Sequence, residues 1–132
     1  MKPVRILALV PAIYGVSPGQ RFRIEQWEGP LRSRGIEIVY AHFEDKKLRE
    51  ILYKKGHQLE KAFRILLTFF RRLFQLPSFR KFDAVYLYRE AALAGPAIIE
   101  RLLRWMGVPI VYDFDDAIWL PAEGSANKAW NW

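Results

Sequence analysis

Residues 4–10 read VRILALV, a short, β-branched run that is apolar at nearly every position. Such a run suits a strand buried on both faces, as in a parallel sheet, better than one with a wet side. Parallel strands need crossover connections, and the chain supplies them. A breaker-rich loop, residues 11–19 (PAIYGVSPG), leads at Gln20 into a segment where Phe22, Ile24, Trp27 and Leu31 follow helical spacing, dented by Gly29 and Pro30. Gly35 is placed to stop that helix before a second strand at residues 36–41 (IEIVYA). Strand, helix and strand therefore form a βαβ unit within about forty residues.

The alternation continues. Residues 45–76 are helical in character, in two pieces hinged near Gly56, with Leu59, Ala62, Phe63, Leu66, Leu67, Phe70, Leu73 and Phe74 recurring at helical spacing and Pro77 closing the segment. A third strand follows at residues 82–88 (FDAVYLY), a helix at 93–106 ended by Gly107, and a fourth strand at 108–114 (VPIVYDF). The expected fold is α/β, a Rossmann-like parallel sheet with flanking helices. In such sheets ligands gather at the carboxyl ends of the strands.

Composition narrows the class. At 52% hydrophobic and 27% charged, 132 residues suffice for one compact domain. Cysteine is absent, so neither a disulfide framework nor a thiolate metal site can form. Arg64, Arg71 and Arg72 interrupt the most hydrophobic stretch, which falls short of the roughly 18 apolar residues of a membrane span. The net charge of +7 is concentrated: residues 46–81 hold 11 basic and 2 acidic residues, a balance of +9, leaving 10 basic and 12 acidic elsewhere, a balance of −2. That segment calls for an anionic partner.

Three strand-end loops could carry chemistry: residues 15–23, 89–95 and 113–119. In the first, GVSPGQRFR, Gly15 and Gly19 permit close backbone approach, Ser17 and Gln20 offer polar groups, and Arg21 and Arg23 suit an anion near a helix start. Neither GxGxxG nor GxxxxGK[ST] is present, so a turn followed by a solvated helix face is the competing reading. In YDFDDAIW, Asp113, Asp115 and Asp116 crowd within four residues, and their repulsion asks for a base, a hydroxyl donor or a metal to use them. Helix capping would account for Asp116, and bonds to loop N–H groups for the other two. Glu90, beside Arg89, suits either a site or a helix cap. His42 and His57 lack metal-ligand spacing.

Taken together, SPGQRFRIEQW, YLYREAALAGPAIIERLL and PIVYDFDDAIW resemble the amino-terminal domain of glycosyltransferase family 4 enzymes. The resemblance implies the N-terminal, acceptor-side half of a GT-B fold, incomplete over residues 1–132, with the nucleotide-sugar-binding C-terminal half absent. It further implies retaining sugar transfer from a nucleotide-sugar to a glycan or lipid-linked acceptor, in the full-length enzyme, in cell-envelope polysaccharide synthesis. No metal or other cofactor is expected, and the fragment alone is expected to be inactive. Asp115 and Glu90 take the catalytic positions; Gly15, Ser17, Gly19, Gln20, Arg21, Arg89, Asp113 and Asp116 take substrate-binding ones. Asp115 departs from the family, where many members carry histidine. An acid there could bond a sugar hydroxyl or stabilise positive charge at the anomeric carbon.

Two other classes compete. DFDD also resembles the strand-end motif of haloacid dehalogenase-like, magnesium-dependent phosphatases, although that motif belongs on a first strand. Alternatively the chain is a non-enzymatic module held to a membrane surface. Its basic helix would present Arg64, Phe69, Phe70, Arg71 and Arg72 to anionic lipid from the cytoplasmic face of the cell membrane. Packing of the same apolar stripe on the sheet, with the arginines snorkelling over it, is the contrary expectation. Nucleic acid is not expected, because the aromatics share a face with aliphatics instead of lying among exposed basics.

Overall fold

The computed structural model describes residues 2–92 and 97–114. Four parallel strands, β1 (Val4–Val10), β2 (Ile36–His42), β3 (Ala84–Tyr88) and β4 (Ile110–Asp113), lie in the order β2-β1-β3-β4. The chain thus has the expected Rossmann-like α/β arrangement. Residue 4 of β1 pairs with Ile36, and Val10 with His42; Leu9 pairs with Leu87, and Tyr88 with Asp113. Val10, His42, Tyr88 and Asp113 therefore finish nearly level and define one carboxyl rim. The sheet order turns between β1 and β3, where β2 lies to one side of β1 and β3 to the other, the position at which such sheets open a crevice.

Alternation along β1 divides the core. Leu7 and Leu9 join Val85 and Leu87 beneath α4 (Gln58–Phe79) and α5 (Ile98–Trp105), while Ala8, Val10, Ile38 and Tyr88 pack on the opposite face with Ile24 and Leu31. Doubly covered strands explain why VRILALV shows no polar alternation.

The first crossover differs from the single amphipathic helix expected of it. It comprises α1 (Pro18–Arg23), a 3-10 turn (Glu25–Trp27) and α2 (Glu28–Arg32). Ile24, at φ −134°, breaks the regular turn so that Ile24 and Glu25 both point inward; Phe22 and Trp27 are left exposed. Gly35, at positive φ, ends the unit as expected.

Between α3 (Lys46–Leu52) and α4, Gly56 and His57 both take left-handed φ, which makes the hinge anticipated near Gly56. Asp45 caps α3 by accepting from the Leu48 N–H at 2.6 Å. Pro77 does not close α4. The helix carries it in its final turn and continues to Phe79, because Leu76 and Phe79 are both buried against the sheet and one lost backbone bond near a terminus costs little. β3 and β4 are also shorter than expected. Phe82 and Asp83 precede β3, where the Asp83 carboxylate accepts from the Arg5 N–H at 2.7 Å and the Arg5 guanidinium lies 5.0 Å from the Phe82 ring centroid.

The roll of α4 matches neither sequence expectation in full. Thr68, Arg72, Leu76 and Phe79 face inward and Phe69 and Leu73 lean on the core, while Leu59, Phe63, Leu66, Leu67, Phe70 and Phe74 face out. Arg72 and Phe69 are therefore corrections to the set expected to meet lipid: Arg72 is only 2% exposed, and Phe69 packs partly buried against the core. Arg71 stays at the surface with its guanidinium donating to the Phe43 carbonyl at 3.0 Å, and Arg64 pairs with Glu60 at 3.6 Å. Among the described residues no helix is long and apolar enough to cross a membrane.

Candidate functional site

The loop after β1 is built by a buried amide and a buried acid. Gln20, fully buried, returns to the strand end. Its Nε2 donates to the Ala12 carbonyl at 3.0 Å and to Glu25 Oε1 at 2.6 Å, and its Oε1 accepts from the Ala12 N–H at 3.1 Å. Glu25 in turn accepts the Gly15 N–H on both oxygens, at 3.1 and 3.0 Å. The Gln20 side chain and the Gly15 N–H, both expected to meet substrate, are thus engaged in holding the loop's shape. The break at Ile24 is what allows Glu25 to reach the loop.

Ser17 caps α1 through a long 3.5 Å contact with the Gln20 N–H, and α1 is only six residues long, so its dipole contribution is small. Gly19 serves packing: a β-carbon there would lie 2.7 Å from the Tyr88 hydroxyl. Arg21 is exposed.

The far side of the rim is tied to the near side. Asp113, at the end of β4, pairs with Arg23 of α1 at 3.2 Å through Oδ1 and accepts the Tyr86 hydroxyl through Oδ2. Burial first, then the bond to Asp113, raises the Tyr86 hydroxyl well above the ordinary phenol range, so it stays a proton donor. Asp113, expected to bind substrate, is thereby oriented by two neighbours.

At the end of β3, Arg89 adopts a left-handed backbone, φ 65°, a conformation that a non-glycine residue holds only at a cost. Two contacts from β4 fix it: the Arg89 N–H donates to the Asp113 carbonyl at 2.8 Å, and the Tyr112 hydroxyl donates to the Arg89 carbonyl. The turn leaves Glu90 half-buried on the rim. Burial lifts its carboxyl above the usual carboxylate range; Arg89 opposes that and Glu100 adds to it. Arg89→Gly is expected to be more stable than Arg89→Ala by about 1 kcal/mol, since only alanine keeps the β-carbon penalty of this left-handed turn. Urea unfolding of the two variants reads the difference, and equal midpoints would contradict the strain.

The structure therefore brings Gly15, Ser17, Gly19, Arg89, Glu90 and Asp113 to one rim. Asp115 and Asp116 lie outside the described residues, as do Trp119, Trp130, Trp132 and the expected first turn of the helix at 93–106. Sequence reasoning overlooked Glu25, Tyr86 and Tyr88. The first has no motif, and the two tyrosines read simply as strand residues. A concavity of about 650 Å3 opens elsewhere, between β4 and α5, lined by residues including Glu100, Arg104 and Tyr112 and by none of the expected site residues. Among the described residues no three His, Asp or Glu side chains converge as metal ligands. Comparison of the chain with protein-family models, curated proteins and solved structures finds no match.

Proposed function

We propose that the chain is the acceptor-side half of a retaining, GT-B-type glycosyltransferase, which in the full-length enzyme works with a second domain that binds the nucleotide-sugar. The observation that carries this reading is the strained Arg89 turn, which holds half-buried Glu90 on the rim where the sheet order reverses. Backbone strain retained at such a crevice is typical of ligand sites. A half-buried carboxylate can accept a hydrogen bond from a sugar hydroxyl, and partial removal from water strengthens that bond. Asp115 keeps the second catalytic position in this reading, and Arg21 and Asp116 keep contact with substrate. Gln20 and Gly15 shape the loop from behind.

Titrating the isotopically labelled chain with short glycans, lipid-linked saccharides and nucleotide-sugars tests it. Amide shifts should cluster at Gly15, Gly19, Glu90 and Asp113 with the acceptor-type ligands. Glu90→Gln should weaken that binding about ten-fold, the loss of one charged hydrogen bond. Saccharide shifts that avoid the rim would remove the proposal. The phosphatase alternative is disfavoured because DFDD begins at the end of β4, fourth in chain order and at the margin of the described sheet. Magnesium-dependent hydrolysis of a generic phosphomonoester would reinstate it.

A further inference from the structure

We propose that the outward face of α4 docks on an anionic lipid surface. The observation is the direction of the stripe. Leu59, Phe63, Leu66, Leu67, Phe70 and Phe74 fall on one side of the helix, opposite the side that packs on the sheet, and Leu59 and Phe74 are 88% and 84% exposed. A crossover helix ordinarily turns its apolar stripe to the core and its polar residues to water. Here the outer face is apolar and the inner one carries Thr68 and Arg72, so sheet packing does not account for the stripe.

Charge selects the occupant. The segment that holds α4 has the +9 balance, and its exposed basic residues lie at both ends of the stripe: Lys54 and Lys55 before it, Arg80 and Lys81 after it. α5, on the same face of the sheet, adds exposed Arg101, Arg104 and Trp105. Apolar side chains flanked by cations at both ends fit the boundary between acyl chains and anionic headgroups, where each cation adds roughly five-fold to partitioning. A second copy docking face to face would press two +9 segments together and is opposed by that repulsion. Single-stranded nucleic acid would need rings interleaved with the cations, whereas these rings share one face with leucines.

The lack of cysteine makes a direct test available. A single cysteine at Phe74, labelled with an environment-sensitive fluorophore, should shift to the blue on adding phosphatidylglycerol vesicles and much less with phosphatidylcholine. A label at Arg34, outside the α4 and α5 layer, should not respond. Added salt should weaken the response. Replacing Leu66, Phe70 and Phe74 together by serine should lower partitioning in flotation at least about ten-fold, with far-UV circular dichroism confirming the fold. The salt titration needs no core change and stands if the triple variant misfolds. The proposal is overturned by equal response to both lipids, by no response, by a lipid-free shift that grows with protein concentration, or by a shift driven by single-stranded RNA instead of vesicles. None of these outcomes involves the rim, so failure here leaves the glycosyltransferase reading untouched.

Discussion

Arg72→Met is expected to stabilise the chain by about 2 kcal/mol, raising the unfolding midpoint by roughly 5–10 °C for a domain of this size. Arg72 is 2% exposed, and among the described residues its Nη1 and Nη2 have no hydrogen-bond partner. It lies 6.0 Å from the Phe43 ring centroid, a contact too weak to replace the lost hydration. Burial, with neighbouring Arg71 adding, pulls its pKa down to about 10, against an opposing influence of Glu100. The folded state therefore disfavours the charge that the unfolded chain carries at neutral pH, and this penalty is present below about 10 and falls as pH rises through that value. Methionine fills a comparable volume without the desolvation cost, whereas Arg72→Ala leaves a cavity and should gain less. Calorimetry of the two variants at neutral pH checks both statements. A destabilised Arg72→Met would mean that the guanidinium is bonded in solution.

Gly19→Ala should cost about 1–3 kcal/mol, and adding Tyr88→Phe should recover most of it. A β-carbon at residue 19 meets the Tyr88 hydroxyl at 2.7 Å, but the next ring atom, Cζ, at an ordinary 3.8 Å. Tyr88 is buried in the α1 side of the core and cannot swing clear. With the hydroxyl removed, alanine's better helix propensity, about 1 kcal/mol over glycine, acts without the clash. The double-mutant cycle in urea should thus report a coupling of about 1–2 kcal/mol. Additive effects would show that Gly19 and Tyr88 do not touch. Because this contact seats α1 on β3, the same cycle bears on the rim: a displaced α1 carries Arg23 away from Asp113.

Much of the architecture was readable without coordinates. The nearly all-apolar run at residues 4–10 implied a doubly covered strand, and Gly35, Gly56 and Gly107 marked the turns where they occur, each with positive φ. The rim was legible at the level of loops: residues after β1, β3 and β4 had to meet once the strands were parallel. Individual roles there were not. Gln20 reads as an exposed polar residue on a helix start, yet it is fully buried because the Ala12 backbone and Glu25 together satisfy its amide. Its partner Glu25 is five residues away, a spacing that a regular helix would not bring into contact.

The βα alternation, the turn points and the +9 concentration follow from local residue type and spacing alone. Long-range packing chose which way α4 rolls, put Arg72 inside and Phe63, Phe70 and Phe74 outside, and brought Gln20 and Glu25 together to clamp the first loop. The reason is physical. α4 is apolar around most of its circumference, so periodicity offers several candidate faces, and the choice falls to whichever side chains fit against Leu7, Leu9, Val85 and Leu87 on the sheet.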